Sequence, residues 1–289
     1  MTALPELGVV GWPLKMTFSP LMQQAALQEV GLEWRYEAIP VPPEGFSAFF
    51  ERASGIMHGF NVTMPHKAAA QRLCSVLDGL SAASGVVNTV LFVKGTQCPV
   101  SEGHNTDGPG LIRALAQRAS FDTRGSCVVV FGAGGAAAGC VTALARSGAG
   151  RIIIANRTVA RAEELISRMK PMFPETKWQT CPLNSSEWLN RHIAEADLLI
   201  NCIPEDGAAE LAALFCELDG RGKAFCDLSY SGEPGTLFRA CKEAGFAAVP
   251  GLEVLLWQGV FAFELFTQRS APVNVMRRAL CKAAGEWWL

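Results

Sequence analysis

The segment Cys127–Phe131 is an unbroken apolar run, and Gly132-Ala133-Gly134-Gly135-Ala136-Ala137 follows it directly. Such a run is a strand buried on both faces, the situation of a parallel sheet covered by helices. The first glycine then makes a tight strand-to-helix turn. The second lets backbone N–H groups approach a pyrophosphate, and the small Ala137 lets the helix lie close on the sheet. The pattern is G-x-G-x-x-A, and its place between strand and helix favours a dinucleotide site over a merely close-packed loop.

The rest of the chain keeps the same alternation. Strands are expected at 7–10, 60–64, 86–93, 152–155, 197–202 and 224–228. Ser19-Pro20 opens a helix, with Ser19 as N-cap and Pro at the first position, and Gly31 closes it. Pro65 starts another, and the turn Asn105-Thr106-Asp107-Gly108 leads into a third. Leu252, Leu255, Leu256, Gly259, Phe263 and Phe266 mark a late helix by their spacing. The expected fold is therefore α/β with two domains. Residues 1–107 form a parallel α/β domain that binds substrate and carries the chemistry. Residues 108–250 form a Rossmann domain, and 251–289 pack back on the first.

Composition supports two folded domains and narrows the partners. The chain has 289 residues, 49% apolar and 18% charged, enough for large cores. The net charge is -2 with no Lys/Arg run, so no nucleic-acid partner is expected. The stretch 1–7 lacks the basic and apolar regions of a signal peptide. The most apolar window, 246–266, is interrupted by Pro250, Glu253, Gln258 and Glu264, which argues against a membrane span. Ten cysteines include no C-x-x-C pair and sit largely in apolar runs, as in a reduced, cytoplasmic protein. No spacing of His and Cys suggests a metal.

The second strand of the dinucleotide unit ends Asn156-Arg157-Thr158, with Arg161 one turn on. An NAD site usually places Asp or Glu here for the ribose 2′-hydroxyl. Two arginines and a threonine instead suit a 2′-phosphate, and so NADP.

Asn61-Val62-Thr63-Met64-Pro65-His66-Lys67 runs from a strand end into the first turn of a helix. A cation is poorly placed at the positive end of a helix dipole, so the position favours the neutral amine, which a proton-transfer group needs. An exposed lysine on a polar face fits the local sequence equally well. Asp107 reads locally as a helix N-cap, or as a carboxylate facing Lys67 at a sheet mouth. Asn88 interrupts an apolar strand and Gln258 an apolar helix. Each needs a polar partner, from the backbone or from a polyhydroxylated ligand.

Together these segments resemble the shikimate dehydrogenase family over nearly the whole chain. The motifs are Gly11-x-Pro13 with Thr17-Phe18-Ser19-Pro20, then Asn61-Val62-Thr63-x-Pro65-x-Lys67, Val87-Asn88-Thr89 and Asn105-Thr106-Asp107-Gly108. Gly132-Ala133-Gly134-Gly135-Ala136, Asn156-Arg157-Thr158-x-x-Arg161-Ala162 and Gly251-Leu252-x-x-Leu255-x-x-Gln258 follow in the family's order. The resemblance implies NADP-linked reduction of 3-dehydroshikimate to shikimate, a step toward chorismate and the aromatic amino acids. It implies Lys67 as proton donor and Asp107 as its partner. Thr17 and Ser19 would hold the carboxylate, and Thr63, Asn88 and Gln258 the ring hydroxyls. Tyr230 stands where the family often has a substrate-contacting aromatic. The partner implied is a small-molecule substrate, with no nucleic acid or membrane, and the protein is expected to be a monomer or homodimer.

The departures leave alternatives open. Thr17 replaces the family's usual Ser. Cys202-Ile203-Pro204-Glu205-Asp206 replaces the loop where a Thr often follows Asn-Ala near the nicotinamide. Leu255-Leu256-Trp257-Gln258-Gly259 is similar to the quinate/shikimate branch. Quinate or aminoshikimate is therefore the rival substrate, and a non-catalytic ligand-binding regulator of the same fold is the rival class. A methyltransferase fits least, because its cofactor wants an acid where Arg157 stands.

Overall fold

The computed structural model describes residues 4–14, 17–93, 100–215, 218–230 and 232–289. The first three residues of the stretch 1–7, read above as lacking a leader, lie outside them. The chain divides into two compact units. One runs to Gly110 and takes in Leu255–Ala283, and the other holds Leu111–Val254 and Ala284–Leu289.

In the first unit the chain forms β1 (Leu7–Gly11), α1 (Ser19–Glu29), β2 (Tyr36–Pro40), α2 (Phe46–Ser54), β3 (Gly59–Val62) and α3 (Lys67–Leu73). Then come β4 (Val76–Leu77), α4 (Gly79–Ser84), β5 (Thr89–Val93), β6 (Val100–His104) and the start of α5 (Asp107–Arg118). The strands make one sheet in the order β2-β1-β3-β5-β6-β4. Its core is aromatic: α2 turns Phe46, Phe49, Phe50 and Ala53 inward at helical spacing, against Phe60 of β3 and Phe92 of β5. Phe50 meets Phe60 and Phe92 edge-on at 5.9 and 5.5 Å, the geometry that aromatic quadrupoles prefer.

This sheet is mixed, which corrects the expectation of a wholly parallel one. β1 pairs in parallel with β2 and β3, but β5 runs antiparallel to both β3 and β6. The link from Val93 to Val100 is too short for a crossover of a dozen or more residues, so β5 and β6 must be antiparallel neighbours. The strand expected at 86–93 starts only at Thr89, and Asn88 therefore stands at its mouth rather than inside it. Ser19 is the first residue of α1, not its cap. Phe18 occupies the cap position, and the Thr17 hydroxyl accepts the Ser19 N–H at 3.4 Å.

The second unit carries β7 (Cys127–Phe131), α6 (Gly135–Arg146), β8 (Arg151–Asn156), α7 (Val159–Met169), β9 (Lys177–Pro182) and α8 (Ser186–Glu195). β10 (Leu198–Asn201), α9 (Glu205–Ala208), β11 (Ala224–Asp227), α10 (Thr236–Glu243) and β12 (Ala247–Val249) complete it. The strand order is β12-β11-β10-β7-β8-β9, and every pairing is parallel. Val128–Phe131, 152–155 and Leu198–Asn201 are buried throughout, as strands covered on both faces must be. The chain turns one way from β7 to β9 and the other way from β10 to β12. The switch point falls between β7 and β10, where open α/β sheets bind ligands beyond the strands' carboxyl ends.

Two helices close the chain. α11 (Gly251–Thr267) begins in the second unit and continues into the first, where α12 (Val273–Ala284) follows it. The last residues group with the second unit. Trp287 packs edge-on against Phe238 at 5.7 Å, and Arg118 donates to the carbonyls of Trp288 and Leu289. Among the described residues no helix is long and apolar enough to cross a membrane.

Candidate active site

In the first unit Lys67 is the opening residue of α3, and its Nζ lies 2.5 Å from Asp107 Oδ2. Both side chains are mostly buried, at 15% and 19% exposure. A cation at a helix N-terminus is disfavoured by the dipole, and here the Asp107 carboxylate supplies the compensating charge. The capping role for Asp107 falls instead to Asn105. Its Oδ1 accepts the Gly108 N–H at 3.2 Å, which leaves the Asp107 carboxylate free to face Lys67.

Asn88 fixes the other carboxylate oxygen. Its Nδ2 donates to Asp107 Oδ1 at 2.7 Å and to Thr106 Oγ1 at 2.9 Å, with Gln258 Oε1 at 3.5 Å. Its Oδ1 accepts the Thr106 N–H at 2.8 Å. The amide is thus largely committed to protein groups, and its first task is to aim Asp107. Gln258 comes this near because α5 and α11 approach closely at Gly110. A Cβ on Gly110 would lie 2.8 Å from the Gln258 backbone nitrogen. The Gln258 Nε2 donates to the Leu255 carbonyl at 2.9 Å, leaving its oxygen toward Asn88.

Thr63 follows β3, and its N–H donates to the Val10 carbonyl, so it sits at the carboxyl end of the paired strands β1 and β3. Thr17 and Ser19 sit together at the start of α1. Tyr230 lies in the second unit, past β11. It is 36% exposed and lines a cavity of about 120 Å³ with Asp227, Glu205 and Trp287. Burial pushes the Asp227 carboxyl above the usual range, against hydrogen bonds from Ser229 and Asn201.

Behind Asn105, the Asp78 carboxylate accepts the Ser81 N–H at 2.6 Å and the Asn105 N–H at 3.3 Å. The His104 ring lies 3.7 Å from Asp78 and 3.4 Å from Glu102. Asp78 foremost, then Glu102, raises His104 above the ordinary histidine value, although burial works the other way. Burial likewise works to raise Asp78, but hydrogen bonds from His104, Ser81 and Asn105 outweigh it and hold Asp78 low.

The glycine turn after β7 in the second unit differs. Gly132 has φ +108°, and its N–H donates to the Ala155 carbonyl at 2.8 Å. A Cβ there would meet Ile203 Cγ2 at 3.0 Å, so only glycine makes this turn without strain. Ala133 is partly buried and Gly134 is exposed, with open space where its Cβ would stand. Gly134 caps α6 without a side chain. The N–H groups of Gly135 and Ala136 lead the helix ahead of its first internal bond, from Ala138 N–H to the Gly134 carbonyl. Asn156 ends β8, and its Nδ2 donates to the Thr158 carbonyl at 2.8 Å. Arg157 and Arg161 are exposed, and neither has an ion pair among the described residues. Helix N–H groups, a glycine turn open at Gly134 and two uncommitted guanidinium groups fit a dinucleotide carrying an extra phosphate. The Cys202–Asp206 departure starts as a braced turn. Asn201 Oδ1 accepts the Ile203 N–H, and its Nδ2 donates to the Ile203 carbonyl and to Asp227 Oδ1.

Four residues outside the expected site join its network: Tyr36, Asn61, Thr89 and Thr106. For Asn61, Thr89 and Thr106 the signal in the sequence is polarity, and for Tyr36 there is none. Asn61 and Thr89 stand in apolar strand segments, opposite each other in register. Among the described residues no group of three or more His, Cys, Asp or Glu side chains is arranged to hold a metal.

Three family models match the chain. They are the shikimate dehydrogenase substrate binding domain over residues 9–90, shikimate / quinate 5-dehydrogenase over 114–209, and the shikimate 5'-dehydrogenase C-terminal domain over 251–281. The shikimate dehydrogenase (NADP(+)) of Methanopyrus kandleri is 39% identical over 280 residues, covering 94% of this chain and 93% of that one. The enzyme of the same name from Geobacter metallireducens is 36% identical, covering 96% of each. The crystal structure of shikimate 5-dehydrogenase from Thermus thermophilus in complex with NADP(H) and shikimate superposes with a TM-score of 0.81. It has 30% identity, covering 96% of this chain and 98% of that one.

Proposed function

The chain belongs to the shikimate dehydrogenase family, and from that premise we propose that it interconverts shikimate and 3-dehydroshikimate with NADP(H). The observation that carries this reading is the mostly buried Lys67–Asp107 pair, held at 2.5 Å and aimed by Asn88. An alcohol of this kind is oxidised when hydride leaves its carbon and a base takes the hydroxyl proton. Bound NADP⁺ supplies the hydride acceptor. Lys67 Nζ takes the proton in that direction and returns it to the carbonyl oxygen in the other. Asp107 keeps Nζ in place and accepts from a neighbouring ring hydroxyl.

Thr17 and Ser19 offer hydroxyls to the substrate carboxylate. Thr63 and Gln258 offer donors and acceptors to the ring hydroxyls, with Asn88 acting there mainly through Asp107. Tyr230 is assigned to the substrate on the resemblance alone. The first unit is the substrate domain and the second the nucleotide domain. Gly132, Ala133, Gly134, Gly135 and Ala136 would take the pyrophosphate. Asn156, Arg157, Thr158 and Arg161 would take the adenosine ribose and its 2′-phosphate.

The test is to mix the protein with shikimate or quinate and follow reduction of NADP⁺ and NAD⁺ by absorbance. Rapid NADP⁺ reduction with shikimate is the expected result. Faster turnover of quinate would move the assignment to that substrate. Tight shikimate binding with no turnover would make the protein a binding regulator.

A further inference from the structure

The buried polar groups of the first unit are arranged in series, and their hydrogen-bond directions can be deduced. Asn88 Oδ1 faces the Thr106 backbone N–H, which can only donate, and Asn88 Nδ2 faces the Asp107 carboxylate, which can only accept when ionised. The Asn88 amide is therefore fixed in one orientation. Thr89 Oγ1 lies 3.1 Å from Asn88 Oδ1 and 3.3 Å from Thr106 Oγ1; Asn88 Oδ1 is the nearer and can only accept, so the hydroxyl proton is directed to that side and the oxygen accepts on its other side. Its neighbour on that side, 2.9 Å away, is the Asn61 amide, which must present nitrogen. The same atom lies 3.3 Å from the Asn88 backbone carbonyl, an acceptor, which requires nitrogen independently. Asn61 Oδ1 is then left facing the Tyr36 hydroxyl at 2.7 Å, and the phenol donates to it.

Every link is buried: Tyr36 is 3% exposed, Asn61 6%, Thr89 0% and Asn88 2%. Water cannot readily replace a lost partner, so one missing donor is felt along the series.

We propose that Tyr36, far from Asp107 in sequence, is a positioning residue for the proton-transfer pair. It acts through Asn61, Thr89 and Asn88 on the orientation of the Asp107 carboxylate. The inference rests on the reading of Lys67 and Asp107 given above. Without the phenol, Asn61 Oδ1 is left in a buried site without its donor, and the amide is held only from its nitrogen side, by Thr89 Oγ1 and the Asn88 carbonyl. Asn61 then shifts to relieve its bare oxygen, Thr89 and Asn88 shift with it while keeping their orientations, and the carboxylate is displaced slightly from its aim at Nζ. Small losses of aim slow a reaction without weakening binding of groups held elsewhere.

The test uses Tyr36→Phe, Thr89→Val and the double variant in the full chain, at a temperature where all three are folded. Each single variant should lower kcat for shikimate oxidation by about five- to tenfold and leave the KM for shikimate and for NADP⁺ within about twofold. The double variant should be no slower than the slower single one, because both break the same series. A drop in Tm with kcat unchanged would overturn the proposal, as would multiplicative losses in the double variant. A second readout does not depend on activity. The side-chain amide NMR signals of Asn61 and Asn88 should both shift in Tyr36→Phe, and an unmoved Asn88 signal would overturn the relay. Absence of shikimate turnover in the wild-type protein would count against the substrate reading, while the NMR result would still decide the relay.

Discussion

Around Lys67 the first unit has already spent its polar groups on one another. The lysine holds an aspartate, the aspartate holds an asparagine, and the asparagine amide is satisfied on both sides. The nucleotide end of the second unit is the opposite. Gly134 of its glycine turn faces open space, α6 has no side-chain cap, and Arg157 and Arg161 have no ion pair among the described residues. One region is organised before any ligand arrives, as proton transfer requires. The other keeps its donors uncommitted, as binding an anion requires.

Three substitutions probe that contrast. The largest effect is expected from Asp107→Ala, which strips both Lys67 and the Asn88 amide of their acceptor. kcat should fall by about 10²-fold or more, with NADP⁺ affinity unchanged. Steady-state kinetics with calorimetric NADP⁺ binding would show it, and a loss confined to NADP⁺ binding would erase the distinction between the regions. Next, Arg157→Ala should weaken NADP⁺ binding by roughly 1.5–3 kcal/mol and barely affect NAD⁺. Equal losses for both nucleotides would mean that the guanidinium serves structure rather than the 2′-phosphate.

The smallest effect concerns His104. Its folded-state pKa is raised, chiefly by Asp78, so its favourable interaction is fully present below the unfolded value of about 6.5 and disappears as pH rises through the folded value. Solvent screens the partly exposed ring, so His104→Gln should cost only about 0.5–1 kcal/mol of stability near pH 6 and almost nothing near pH 9. Urea unfolding at the two pH values measures it. A pH-independent loss would assign His104 to packing instead.

The two regions also differ in how far the sequence reveals them. The nucleotide end is local. A strand, a glycine turn, a helix and two arginines follow one another between Cys127 and Arg161, so the pattern and its geometry share one reading frame. The Lys67 cluster is assembled across long separations. The sequence motifs mark Lys67, Asp107, Asn88 and Gln258, yet nothing local shows that Asn105 takes over the capping open to Asp107. Tyr36 is hidden because its partner Asn61 is 25 residues away and β2 alternates weakly at a sheet edge. β9 is faint for the same reason, its exposed Lys177 and Gln179 diluting the apolar signal. The antiparallel turn of β5 depends on connection length rather than composition. The α11 helix, by contrast, carries a long apolar spacing that survives in the sequence.

The proposed function has Lys67 deliver and recover the proton while the rest of the cluster holds it in place. A single-turnover experiment isolates that role. Wild-type protein and Lys67→Ala are loaded with NADPH and 3-dehydroshikimate, and loss of NADPH absorbance is followed. Hydride transfer should be slower by about 10²–10⁴-fold in the variant, with 3-dehydroshikimate still bound. Transfer at the wild-type rate would mean that another group moves the proton and that the Lys67 assignment is wrong.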